Sequence, residues 1–514
     1  MSTSGDADVR APIRFGDWSK DTQGWLFGLS GAACVTVLLG GLPALLAIGA
    51  HQWLLALGWL PVWAVLTLGV CVPVRGRSAA RWVLDATYRA VGSVAGWTSW
   101  QSRAAAGDLA DPAEADLPGV LSGIRTHDGP PFGALLARPA IVQDCAAQTW
   151  AAVARISHPG IGLAEQRTRQ RMAAGMSELL EGAASGELVS VVAVQIRTVP
   201  DDGAERAAWQ ARHVRPTAPA LALQVNAELG SAMVQAGVRH EAFLTVVVPE
   251  SRIAKQAKEA GGGVDGRARV LYGVLSELQV RLSGPVGCSS LTWLDTPALA
   301  AAIRTGFAPG DRAALIEAQL AAGTGPQVAG QLPMAAAGPS SAPAPDARHY
   351  THDAWSTATC TVLLPEQGAI MGALAPVFAP SVAGERRSVT EFYEPISSRR
   401  ADRMVGKDSM SAGTAAEMRA RMGFKTRAAH RRDYQRVETN DTRLASGKAL
   451  VRVAVAAAVT VPSDWSITDF GRRLEASIRT SGFTPLRLDL AQDTGFAAAC
   501  IPLGIGLPRR RDTR

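Results

Sequence analysis

Hydrophobic and polar positions divide the chain into an uncharged front and a mixed remainder. Residues 22–74 contain no Asp, Glu, Lys or Arg, a run of 53 positions in a chain where 19% of residues are charged. About 20 apolar residues already span a bilayer. The run therefore predicts two membrane-spanning helices, about 25–50 and 53–74, with His51–Gln52 as the polar break between them. Pro43 and Pro61 fall inside these spans, where each is tolerated and bends its helix. A buried helical hairpin of a soluble protein is the competing reading, but such hairpins usually carry charge on an outer face. The run is too long for a cleaved targeting peptide and a second span follows, so it reads as an anchor. Behind it, residues 75–105 read as a juxtamembrane amphipathic helix. Leu84, Tyr88, Val91 and Ala95 repeat at helical spacing there, with Arg81, Asp85 and Arg89 on another face.

Beyond a polar break at 106–116, strands and helices alternate. The pattern predicts helix at 164–185, strand at 189–198, helices at 204–213 and 219–236, and strand at 242–248. A long helix at 251–282, loosened at Gly261–Gly263, a strand at 289–294 and a helix at 296–307 follow. Residues 322–347 are rich in Gly, Pro, Ala and Ser and read as a flexible linker by composition. A second alternating unit follows, with strands at 355–363, 387–393, 450–461 and 485–490 and helices at 367–377, 397–438 and 466–481. The expected fold class is an α-helical transmembrane hairpin plus cytoplasmic α+β, with two ferredoxin-like (split βαβ) units. The expected boundaries are a cytoplasmic N-terminal segment 1–21, the hairpin 22–74, the juxtamembrane helix, a first α+β domain 117–310, the linker, a second α+β domain 349–505 and a basic tail 506–514.

Charge adds orientation. Arg10, Arg14 and Lys20 precede the spans and Arg75, Arg77, Arg81 and Arg89 follow them, while the turn between has none. Basic residues mark the cytoplasmic side, so the chain is expected to be a multi-pass protein of the cell membrane. Both termini and the soluble domains are expected in the cytoplasm. The six cysteines show no CxxC and are expected reduced. A net charge of +7 over 514 residues does not by itself require a nucleic-acid partner. Nucleic-acid contact is not the favoured expectation.

Candidate chemistry is sparse. A phosphate-binding loop needs GxxxxGK[ST]. Gly406–Lys407 and Gly447–Lys448 lack Ser or Thr after the Lys, and Ala401 and Thr442 stand where the first Gly should be. His349 and His352 make an HxxH pair beside Asp353, but without the Glu and third ligand of a zinc hydrolase. A turn-capping His–Asp cluster is expected instead. No GxSxG is present, no cysteine has a His partner nearby, and no catalytic, cofactor-binding or metal-ligating residue or cofactor is expected. The basic run 419–436 reads as a solvated helix face, a partner-protein surface, or a contact for nucleic acid or lipid. Within it Arg419, Arg427 and Arg431 are the candidate docking residues.

Short motifs in a shared order carry a resemblance. They are Phe15–Gly16–Asp17–Trp18, Gly24–Trp25–Leu26–Phe27–Gly28–Leu29, Leu117–Pro118–Gly119–Val120–Leu121, Ile303–Arg304–Thr305–Gly306–Phe307–Ala308–Pro309, His352–Asp353 and Tyr393–Glu394–Pro395. Over nearly its whole length the chain resembles a family of actinobacterial two-span membrane proteins from conjugative, type IV-like secretion loci. That family is named after a Streptomyces coelicolor locus. Gln492–Asp493–Thr494–Gly495–Phe496 and Ile501–Pro502–Leu503–Gly504 are similar to the end of the non-catalytic N-terminal domain of the conjugative type IV secretion ATPase. Cys500 departs from the small polar residue expected there. The resemblance implies a non-enzymatic, membrane-anchored assembly component of a DNA-transfer apparatus, scaffolding a motor ATPase. Its implied partners are membrane lipid and other secretion subunits, within an oligomeric complex. A type VII secretion E-type component and a membrane-anchored enzyme with an unrecognised site are the alternatives.

Overall fold

The computed structural model describes residues 14–16, 31–74, 77–108, 111–134, 136–200, 203–215, 217–236, 238–322, 331–365, 368–406 and 428–506. The uncharged run folds as two helices, α1 (Gly31–Gly49) and α2 (Trp53–Cys71). They pack on one another because Gly40 and Gly41 leave room for the Trp63 ring, which a Cβ at either position would meet at 3.3 Å. Close approach at small residues is how apolar helices associate without a solvent-driven force. The indoles of Trp59 and Trp63 donate to the carbonyls of Gly40 and Val37, each at 2.8 Å. Among the described residues one helix, α2, is long and apolar enough to cross a membrane. A third helix, α3 (Ala79–Ala95), follows, capped by Ser78 at its start and by Gly96 in the left-handed conformation at its end.

The rest is mixed α+β, built on one eleven-stranded sheet. Its strands are β1 (Ile124–Asp128), β2 (Ala140–Asp144), β3 (Thr149–Ser157), β4 (Val191–Pro200), β5 (Val238–Pro249), β6 (Ser290–Trp293), β7 (Tyr350–His352), β8 (Trp355–Leu363), β9 (Arg386–Ile396), β10 (Leu450–Pro462) and β11 (Thr484–Arg487). The path is β7-β8-β10-β9-β4-β5-β3-β2-β1, with β6 also on β3 and β11 also on β8. Every pairing is antiparallel.

The same strand order occurs twice. In the first half it is β6-β3-β5-β4, and in the second β11-β8-β10-β9. In each half the fourth strand in the chain lies beside the first, and the third lies between the first and second. In each half, too, a helical excursion separates the second strand from the third. These are α5 (Ala204–His213) with α6 (Ala220–Ala236) in the first half and α11 (Ala428–Ala445) in the second.

The other helices cover both faces. On one lie α9 (Thr296–Phe307) and α13 (Gln492–Cys500), which share a core with residues of both halves, among them Phe243, Phe307, Phe392 and Phe496. On the opposite face α4 (Gln166–Ser185), α7 (Glu250–Glu259) and α8 (Gly263–Arg281) cover the first half, and α12 (Ile467–Thr480) covers the second. Gly261, Gly262 and Gly263 all sit at positive φ (110°, 70° and 61°), where a side chain would strain the backbone. They end α7 and start α8, so the expected loosening is a full break.

Four sequence expectations are corrected. The three strands β1–β3 were not expected. The helix expected at 367–377 is instead a two-residue strand, Ala369–Ile370, and a 3-10 turn, Ala375–Phe378. Pro376 cannot donate within a helix interior, and Gly372 sits at φ 81°. The two soluble units are not separate: β4 pairs with β9 over seven residues, from Val192–Tyr393 to Thr198–Arg387. Nor is the expected linker free along its length. Residues 323–330 lie outside the described residues, but Met334, Ala337 and Ala342 are buried in the shared core. Small apolar residues that read as linker by composition also fit narrow gaps. At Gly338 a Cβ would stand 2.3 Å from the Asp116 carbonyl. Ser341–Ala342 pair with Trp100–Gln101, so this segment ties the chain after α3 to the body of the protein.

Candidate functional site

The seam between the halves carries the densest polar structure. On β4 the side chains of Gln195 and Arg197 point to the face covered by α9 and α13, and both are buried. The Gln195 amide donates to the Ala499 carbonyl at 2.9 Å and to Thr390 Oγ1 at 3.2 Å. Thr390 Oγ1 (3.1 Å) and Ser388 Oγ donate to that same carbonyl. Thr245 Oγ1 donates to the Pro502 carbonyl at 2.9 Å. The last carbonyls of a helix lack intrahelical partners, so the end of α13 is held by hydroxyls and an amide from β4, β5 and β9.

Arg197 sits between the two related helices. Its Nη1 donates to the carbonyls of Ala302 in α9 (2.9 Å) and Cys500 in α13 (3.5 Å). Its Nη2 donates to Thr305 Oγ1 at 3.3 Å and to Glu241 Oε2 at 3.1 Å. The guanidinium also lies 4.6 Å over the Phe243 ring. Gly306 permits this closeness, since a Cβ there would come within 2.9 Å of the Cys500 carbonyl. The network extends outward through α10 (Arg312–Ala322). Arg312 reaches Glu241 (3.4 Å) and Glu205 (2.9 Å), and Arg239 pairs with Glu205. Burial would raise the Glu241 carboxyl, but Arg197, Arg155, Arg312 and Arg239 hold it below the usual carboxylate range. Every one of these contacts ends on the protein itself. The arrangement fixes helices to the sheet.

The HxxH pair is split by the fold. His349 is half-buried, with Nε2 3.6 Å from Asp346. His352 is fully buried against Phe307, Tyr350 and Phe496, its Nε2 2.9 Å from Thr357 Oγ1. Burial pushes its pKa down to about 3, against a smaller upward pull from the Phe307 carbonyl. Asp353 Oδ1 accepts from the backbone N–H groups of Ser340 and Ser341 at 2.7 and 3.2 Å, and Oδ2 pairs with Arg304 at 3.1 Å. Asp353 thus caps a turn as expected, while His352 is a core ring. Among the described residues no group of three or more His, Cys, Asp or Glu is placed to hold a metal ion.

Of the candidate docking residues, Arg419 and Arg427 lie outside the described residues. Arg431 lies on α11, where only the backbone is described. Gly447 sits at φ 87° just beyond α11, and Lys448 pairs with Glu181 at 3.0 Å. Cys71, Cys145, Cys288, Cys360 and Cys500 are free. Burial raises the thiols of Cys360 and Cys500 to about 12, which removes them as nucleophiles at neutral pH.

Sequence reading missed Arg197, Glu241, Gln195 and Arg312. A signal for two of them was present. In the run 191–198, Gln195 and Arg197 interrupt an otherwise apolar strand at alternate positions, which places two polar groups on one face. Once helices cover both faces, those groups must find partners inside.

Fold and seam together define an α+β protein with an apolar helix pair ahead of a duplicated strand arrangement. No family model matches the chain, and no curated protein matches it.

Proposed function

We propose that the chain is a membrane-anchored structural subunit of a conjugative, type IV-like secretion apparatus, holding a cytoplasmic motor ATPase at the membrane. The observation that carries this reading is the exposed apolar surface of the α1–α2 pair, joined through α3 to a large sheet. Leu54, Leu57, Val65 and Leu68 on α2 stand 88%, 70%, 70% and 60% exposed. So much contiguous apolar surface needs cover, and 19 residues of helix reach about 28 Å, close to the thickness of a hydrocarbon core. Both helices are taken to span, with both ends of the chain in the cytoplasm. A single cysteine at Gln52 is expected to react with an impermeant thiol reagent from outside the cell, and one at Gly107 only after permeabilisation. The reverse pattern rules out this orientation.

Each half of the sheet is read as a split βαβ unit of the ferredoxin-like kind, whose order is fourth, first, third, second. In the second half the stretch 364–385 replaces the first crossover helix. The resemblance of 492–504 to the non-catalytic domain of the secretion ATPase suggests how docking occurs, through sheet edges and helices shared by both proteins. The basic run with Arg419, Arg427 and Arg431 is the proposed surface for acidic patches on that motor. Affinity purification from the native membrane is expected to recover the ATPase, and Arg→Glu changes at the three positions to weaken recovery. The purified chain is expected to hydrolyse no ATP. Purification of the chain alone in gentle detergent, with DNA transfer unchanged on its deletion, overturns the reading.

A further inference from the structure

We propose that α3 lies in the plane of the membrane interface, with one face in the acyl–headgroup boundary and the opposite face clamped to the soluble body. The inference rests on the membrane reading above and extends it to a segment that does not span. Along α3 and its cap, Val83, Leu84, Tyr88, Val91, Val94 and Trp97 are all more than half exposed. At the helical period the α3 members fall within an arc of roughly 140°. A different face, Trp82, Asp85 and Arg89, is half-buried. Arg89 on that face pairs with Asp346 at 3.3 Å, in the segment that leads into β7. A Cβ at Gly92 would collide with the Trp97 indole, 1.8 Å away, so the turn after the helix folds tightly back on it.

Three observations select lipid as the occupant of the apolar face. The first is continuity: α3 begins eight residues after α2 ends and packs against its end, so the two exposed apolar surfaces adjoin. The second is aromatic character. Tyr88 and Trp97 stack at 6.0 Å with both rings exposed, and amphipathic rings of this kind settle at headgroup depth. The third is charge placement: Arg81 is exposed at the border of the apolar arc near the α2 junction, where it meets anionic headgroups. A helix of 17 residues, about 25 Å long, would then fix the orientation of the sheet relative to the bilayer.

The test uses the full-length chain in phospholipid vesicles containing anionic lipid, with Cys34, Cys71 and Cys145 replaced by Ala. An environment-sensitive fluorophore is attached at single cysteines replacing Leu60, Val91 or Ser93, and quenched by nitroxide carried on the acyl chains. Ser93 is exposed on α3 outside the apolar arc. Quenching is expected at Leu60 and at Val91, with Val91 roughly threefold above Ser93, as an interfacial helix with one buried face requires. Quenching at Leu60 but equal, weak quenching at Val91 and Ser93 overturns the α3 inference and leaves the membrane reading intact. Absence of quenching at Leu60 overturns the membrane reading itself. Energy transfer between Val91 labels that disappears on dilution with unlabelled protein identifies a second copy as the occupant and also overturns the inference.

Discussion

Replacing Arg197 with Leu is expected to destabilise the soluble body by about 3–5 kcal/mol, the range for removing one partner of a buried, hydrogen-bonded charge pair. The loss has two parts. Glu241 keeps Arg312 but loses its closest cation, and the carbonyls of Ala302 and Cys500 lose their shared donor. The Arg197→Leu, Glu241→Leu double variant separates them. It removes the stranded carboxylate, so part of the stability returns, while the Cys500 carbonyl at the end of α13 stays without the Arg197 donor and the rest does not. Denaturant midpoints of the detergent-solubilised chain measure both. A single variant as stable as the parent would mean that Arg197 does not bridge α9 and α13.

Acid is expected to weaken the fold through His352 well before the carboxylates protonate. Its folded pKa of about 3 lies below the value of about 6.5 for an unperturbed histidine. Below pH 6.5 the unfolded chain therefore binds a proton that the folded chain refuses. Stability rises with pH between about 3 and 6.5 and levels off above. At pH 5 the expected loss is about 2 kcal/mol relative to pH 7, at 1.36 kcal/mol for each pH unit below the unfolded value. Glu241 acts in a lower window. Its depressed carboxyl contributes stability above the ordinary carboxylate range, and that contribution is lost as pH falls through its folded value. The variant His352→Leu is expected to be less stable at pH 7, because the ring packs between Phe307 and Phe496. It is also expected to lose the slope between pH 6.5 and 4. Persistence of that slope in the variant would place the titrating group elsewhere.

Local pattern made most elements readable and their assembly unreadable. Strands 355–363 and 450–462 alternate or run apolar within turn residues, and helices 296–307 and 467–480 keep one apolar face, so each follows from its own residues. The strands β1 and β2 are five residues long and carry polar or exposed positions such as Arg125, Thr126 and His127. Short strands of that kind lack a clear period. In β3 the run Ala151–Ala154 is buried on both faces, where alternation vanishes. The seam is harder still. Pairing of β4 with β9 joins residues nearly 200 positions apart, and no local signal encodes which edge meets which. For the same reason Arg197 read as an ordinary strand residue, although only its place between two helix ends gives it weight. The segment 331–347 misled through composition, because Ala, Gly and Pro serve both a mobile tether and a narrow packed gap.

The central claim is that both halves form a single sheet, so that the apolar helix pair leads into one body rather than two domains on a tether. Oxidation of a cysteine pair replacing Ile196 and Val389 tests it most directly, since these residues face each other across the seam. Rapid disulfide formation in the intact chain is predicted for this pair, and little for the out-of-register pair replacing Ile196 and Phe392. Failure of the first pair to close, or equal closure of both, would contradict the shared sheet.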